Sequence, residues 1–138
     1  MATVNYCNAD IIFKITNVRK TTSWIKRICK NENVPIISLN IIFCSDSYLL
    51  GLNNKFLNHN WFTDILSFDN ENELGLDGEL YISIPRVKEN AKTYKQEFDL
   101  ELRRVIAHGL LHLMGYGDKT KTQKAQMNLK ENTCLELW

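Results

Sequence analysis

The chain has 138 residues, with 17 Lys and Arg against 16 Asp and Glu for a net charge of +1, and is 44% hydrophobic and 24% charged. That composition, with only six Gly and two Pro, excludes a disordered, collagen-like or low-complexity chain. Near-neutrality excludes a molecule that captures nucleic acid or membrane through one overall field.

A chain of this length is expected to form one domain, 1–138, burying roughly two-thirds of its unfolded surface. Residues 1–9 carry no basic and apolar leader pattern, and no apolar run approaches the ~20 residues of a membrane span. Cys7, Cys29, Cys44 and Cys134 form no C-x-x-C pair, which suits reduced thiols. The expectation is a soluble, cytoplasmic protein with no membrane partner.

In chain order, Val4 to Cys7 and Ile11 to Ile15 read as short strands. Thr21 to Lys30 reads as a helix whose apolar stripe is Trp24, Ile25 and Ile28, ended near Pro35. Ile36 to Cys44, β-branched and apolar, is a central strand, and Ser45 or Asp46 caps a helix carrying Leu49, Leu52 and Phe56. Ile65 to Phe68 and Glu79 to Ile84 form a hairpin across a polar link containing Gly75 and Gly78. Pro85 opens a helix to about Lys95. Leu100 to Met114 is apolar on nearly every side and therefore a buried helix, which Gly115 stops. Thr120 to Leu137 is a last, more amphipathic helix. The pattern predicts an α+β layered fold: a small mixed sheet of about four strands packed against helices.

Charge is unevenly placed. Lys14 to Lys30 holds six bases and no acid, and Asp64 to Glu79 six acids and no base. Such runs serve either as solvated faces or, for the basic one, as a phosphate-touching helix face.

The buried helix carries His108 and His112 in the run His108-Gly-Leu-Leu-His112-Leu-Met-Gly115-Tyr-Gly-Asp118. Side chains four apart on a helix share a face with Cβ atoms ~6 Å apart, so both imidazoles can hold one ion. Gly115 lets the chain double back, and Asp118 becomes the third ligand. A tetrahedral ion then keeps one open position, as catalytic sites do. A single such histidine in an apolar helix would be an ordinary core residue; the pair, the glycine and the carboxylate together point to a metal site on the C-terminal helix and its turn. The spacing resembles the metzincin pattern, but Gly109 stands where a metalloprotease has its general-base glutamate.

These residues resemble the YbeY family of bacterial rRNA maturation endoribonucleases. Its signature H-G-x-L-H-L-x-G-Y-D-H is matched by His108, Gly109, Leu111, His112, Leu113, Gly115 and Tyr116; its T-D-V-L-S-F block by Thr63-Asp64-Ile65-Leu66-Ser67-Phe68; its G-[DE]-I strand by Gly78-Glu79-Leu80. The resemblance spans essentially the whole chain. It implies a metal-dependent, single-strand-specific endoribonuclease that processes small-subunit 16S rRNA, with one Zn2+ as cofactor and RNA and the small ribosomal subunit as partners. DNA is not expected. The alternatives are a ribosome-assembly binding factor with a structural or vestigial metal, and a metal hydrolase of another substrate class.

Two positions depart from the family. The usual third histidine is Asp118, preceded by Gly117; a carboxylate ligates zinc at similar distance but tilts preference toward harder divalent ions. The family's arginine about six residues before T-D-V-L-S-F falls on Leu57, and Lys55 or His59 are the candidate substitutes. Asp64 is the candidate orienting or acid/base residue, or else a turn residue opening a strand. Arg103 and Arg104 are candidate phosphate contacts, or else plain surface charge. Trp61 stacks a base or anchors its loop with Phe62, and Tyr116 packs or touches substrate.

Overall fold

The computed structural model describes residues 2–138; Met1, the first residue of the expected domain, lies outside the described residues. The elements run β1 (Thr3–Asn8), α1 (Val18–Asn31), β2 (Ile36–Cys44), α2 (Asp46–Leu57), β3 (Ile65–Asp69), β4 (Leu76–Ser83), α3 (Ile84–Thr93), α4 (Phe98–Leu113) and α5 (Lys121–Glu136). The sheet order is β1-β2-β4-β3. β1, β2 and β4 are parallel, and β3 runs antiparallel to β4 at the sheet edge. This is the expected α+β fold with a small mixed sheet.

β2 is central and sandwiched, which explains its nearly unbroken apolar sequence. Leu39, Ile41, Phe43, Leu80 and Ile82 join Trp24, Ile25 and Ile28 of α1 and Ile106, Leu110 and Leu111 of α4 in the main core. A smaller cluster of Cys44, Leu49 and Leu66 lies under α2. Burying an aliphatic side chain of this kind contributes about 1.5–3 kcal/mol, so α4, with apolar residues on most sides, is fixed by packing more than by propensity.

Local capping follows the sequence closely. Ser45 accepts from Tyr48 N and starts α2, and Pro85 sits in the first turn of α3. α1 begins three residues earlier than its apolar stripe predicts, because Asn17 adopts a left-handed conformation (φ 57°) and its side chain accepts from Lys20 N. β4 begins at Leu76 and ends at Ser83, since the inward alternation starts at Leu76 and Ser83 caps α3.

Ile11 to Ile15 is not a strand. Asn8 Nδ2 donates to Phe13 O at 3.0 Å and Ala9 N to Phe43 O at 2.9 Å, turning the chain away from β1. The segment's side chains still seal the core: Ile15 is buried, and Phe13 meets Phe43 and Phe98 edge-on at 4.8 and 5.8 Å. Its alternation therefore records packing without a ladder partner.

Candidate metal centre and cleft

α4 lies unusually close to the sheet at the position between the two histidines. A Cβ on Gly109 would stand 2.5 Å from Ile65 Cδ1 and 2.8 Å from Leu80 Cδ2. There is no room for the glutamate that a metalloprotease carries there. This close approach brings the histidine-bearing face of α4 alongside β3. After Leu113 the helix ends, and Gly115, at φ 101°, reverses the chain so that Asp118 returns to the histidines.

His108 Nε2 and His112 Nε2 are 2.9 Å apart, and Asp118 Oδ2 is 3.3 Å from the first and 3.2 Å from the second. Tetrahedral zinc with bonds of ~2.0–2.1 Å has ligand atoms about 3.3 Å apart. The three atoms thus form one face of such a tetrahedron, and the residues fit a divalent ion.

The surroundings aim these ligands. Glu131 of α5, only 5% exposed, places Oε2 2.6 Å from His108 Nδ1. With Nδ1–H donated there, His108 Nε2 is the nitrogen left free for an ion. Arg104 donates to Glu131 Oε1 at 2.9 Å and to Asn132 Oδ1 at 2.8 Å. The loop carrying Asp118 is tied down by Tyr116, whose hydroxyl donates to Glu32 Oε1 at 2.5 Å, while Lys130 Nζ donates to Glu32 Oε2 at 2.9 Å.

His108, His112 and Asp118 line an open cleft of about 1090 Å³, shared with Asp64, Ile65, Ser67 and Asp69 of the β3 region and with Glu101, Arg104 and Glu131 of α4 and α5. Burial pulls the His108 imidazole down, but the Glu131 hydrogen bond and charge, with Asp64 and Asp118, outweigh it and leave its pKa raised. Burial holds the Asp64 carboxyl above the usual carboxylate range, against the opposing pull of His108 and of Asn90. Asn90 Nδ2 donates to Asp64 Oδ2 at 3.0 Å. Glu101 is likewise raised, first by burial and then by the Asp64 charge.

The sequence-predicted residues divide clearly. His108, His112, Asp118, Asp64, Arg104 and Leu57 all line the cleft. Arg104 is committed to Glu131 and Asn132. Arg103 is outside the cleft lining, with its guanidinium 4.4 Å over the Trp138 ring and its Nε buried without a partner. Lys55 Nζ lies 5.3 Å over Phe56, and His59 stacks on Trp61 at 4.1 Å; neither lines the cleft. Tyr116 packs against the core and holds its loop through Glu32. No residue of the basic α1 lines the cleft, whereas Asp64 and Asp69 of the acidic run do.

Sequence reasoning missed Glu131, Glu101, Asn90 and Glu32. A signal for Glu131 was present: it lies on the one line of α5, Met127, Glu131 and Cys134, that turns inward. An acid on a buried stripe requires a partner. Nothing local marked Glu32, whose partners are 84 and 98 residues away.

The family model for endoribonuclease YbeY matches residues 5–138. An endoribonuclease YbeY of Cytophaga hutchinsonii is 43% identical over 136 residues, covering 98% of this chain and 95% of the relative. That of Karelsulcia muelleri is 46% identical over 123 residues, covering 89% and 87%. A solution structure of a Thermotoga maritima protein superimposes with a TM-score of 0.61 at 24% identity, across 98% of this chain and 88% of that one, and shares the fold. The family model spans nearly the whole chain and these relatives share over two-fifths of its residues, so the chain belongs to the endoribonuclease YbeY family, nucleases that hydrolyse phosphodiester bonds.

Proposed function

We propose that this chain is a metal-dependent endoribonuclease that cuts unpaired RNA during maturation of the small-subunit 16S rRNA, in the cytoplasm and in association with the small ribosomal subunit. The observation that carries the reading is the 2.9–3.3 Å triangle of His108, His112 and Asp118 atoms at the wall of an open cleft. A divalent ion held there, Zn2+ or a harder metal favoured by the carboxylate, supplies Lewis acidity toward a phosphoryl oxygen and acidifies water.

The protein's own groups complete the chemistry. Glu131 fixes the His108 ring and its tautomer. Asp64, oriented by Asn90 and with its carboxyl raised by burial, is the candidate acid/base group facing the leaving oxygen. Leu57 in place of a cation, and Arg104 engaged by Glu131, favour delivery of the substrate by a ribosomal partner over capture of bare RNA by charge.

The test is metal content measured beside cleavage of single-stranded RNA for wild type, His112→Ala and Asp118→Ala. Wild type should hold one ion per chain and lose activity to a chelator, and both variants should lose metal and activity together. Full metal and activity in Asp118→Ala would remove the third ligand from the assignment. Equal cleavage in all three preparations would trace the activity to a contaminant and favour an assembly factor with a structural metal.

A further inference from the structure

β3 is the sheet's outer strand, and its free edge is a wall of the cleft. An antiparallel ladder alternates, each residue's backbone groups pointing either to the partner strand or away from it. Ser83 N donates to Asp64 O at 2.9 Å and Asn70 N to Asp77 O at 2.9 Å, so the even-numbered residues 64 to 70 face β4. Ile65, Ser67 and Asp69, all of which line the cleft, therefore turn their N–H and C=O groups away from β4, along the free edge. The Ile65 carbonyl takes the Thr63 hydroxyl at 3.4 Å. The remaining groups repeat every two residues, about 6.8 Å along the strand.

Beside this edge the surface is aromatic. Leu57, a cleft residue, is 45% exposed, and its neighbour Phe56 is 57% exposed. The Phe56 ring meets Phe68 of β3 edge-on at 5.8 Å, which in turn meets Tyr81 at 5.6 Å. Lys55 Nζ stands 5.3 Å from the Phe56 ring centre. An exposed ring buttressed by Phe68, next to a cation and one residue from cleft-lining Leu57, is the chemistry that takes a base on its face and a phosphate beside it.

We propose that the open edge of β3, from Ile65 to Asp69, together with Phe56 and Lys55 beside Phe68, seats the unpaired RNA strand that passes the metal centre. The inference rests on the endoribonuclease reading above. Outward N–H groups donate to phosphate oxygens, and outward carbonyls accept from ribose 2′-hydroxyls, which RNA has and DNA lacks. A duplex keeps its bases stacked inside, so only an unpaired strand can follow the edge and lay a base on Phe56. Selection for unpaired RNA over both duplex and DNA then follows from backbone geometry, with no base-specific contact.

Ser67→Pro tests the edge. It deletes one outward N–H and leaves the ladder to β4 intact, the position where an edge strand tolerates proline. Phe56→Ala tests the stacking ring and does not depend on whether the proline variant folds. Binding is read by fluorescence anisotropy of a short, unstructured, fluorescein-labelled RNA on zinc-loaded protein. Turnover of the same RNA gives KM and kcat, and Ile12→Ser, a fully exposed apolar residue outside the cleft lining, is the control. Each test variant should weaken binding and raise KM about tenfold with kcat within about twofold, the scale of one charge-assisted hydrogen bond or one stacked base. The matching DNA should weaken by the same factor in Ser67→Pro, leaving the preference for RNA in place, because the variant removes a phosphate donor and keeps every outward carbonyl. Wild-type KM and binding in both variants would overturn the proposal while wild-type cleavage leaves the endoribonuclease reading standing. RNA binding unchanged but retention on small subunits lost would also overturn it, and would assign the edge to a protein strand instead.

Discussion

Glu131 Oε2 lies 2.6 Å from His108 Nδ1, so a buried carboxylate on the last helix orients a cleft-lining imidazole 23 residues earlier in the chain. The same carboxylate takes Arg104 through its other oxygen, which makes it the hub between α4 and α5. Glu131→Gln keeps the shape and removes the charge. Loss of such an outer partner typically costs about 10- to 100-fold in metal affinity. Competition with a zinc chelator at pH 7 should show that loss, with His108 and His112 still present; wild-type affinity would reduce Glu131 to a packing role.

Gly109 is required by distance. Adding a methyl at 2.5 Å from Ile65 Cδ1 and 2.8 Å from Leu80 Cδ2 pushes α4 from the sheet or forces both side chains off their rotamers. Gly109→Ala should cost about 1–3 kcal/mol of stability, as overpacking of a core does. Shortening the nearer neighbour in the double variant Gly109→Ala, Ile65→Val should recover part of it in urea denaturation. An additive double variant would mean that the strain lies elsewhere.

Leu57 lines the cleft at the position where the sequence resemblance leads one to expect an arginine. Leu57→Arg should lower KM for single-stranded RNA severalfold at low salt. Each added phosphate contact steepens the log–log dependence of binding on salt by about 0.7 for a single strand. A KM fall without that steeper slope would argue against a phosphate contact.

Glu101 is buried beside Asp64 and its carboxyl is raised above its ordinary value of 4.5, first by loss of water and then by that neighbour's charge. A raised folded pKa stabilises the fold fully below pH 4.5, and the contribution is lost as pH rises through the folded value. Glutamine cannot ionise. In metal-free protein, Glu101→Gln should match wild type in Tm below about pH 4.5 and exceed it increasingly toward neutral pH. A difference in Tm that is constant with pH would show that Glu101 is not the titrating group.

Much of this protein was legible in the order of its residues. Periodicity placed every helix, because a buried stripe and its capping residues are local: Ser45, Pro85 and Gly115 act within one turn of where they stand. Spacing also brought His108 and His112 together, since i and i+4 on a helix share a face whatever the fold around them. Ile11 to Ile15 shows the limit of the same logic. Its alternation is genuine, yet a strand needs a partner edge, and the turn held by Asn8 denies it one.

What near-neutral composition left open, the tertiary structure decided. The total of +1 said nothing about which charges meet. Folding sets the basic α1 outside the cleft lining and brings Asp64, Glu101, Asp118 and Glu131 into it, with Arg104 spent on Glu131. Glu32 reaches Tyr116 and Lys130, and Glu131 reaches His108, across distances in sequence that no local pattern encodes. The sequence by itself determined that His108 and His112 share a face, because helix geometry is local. Only the packing of α5 against α4, and the reach of Glu32 at the end of α1, determined which His108 nitrogen is left free, how the Asp118 loop is held, and which strand edge borders the cleft.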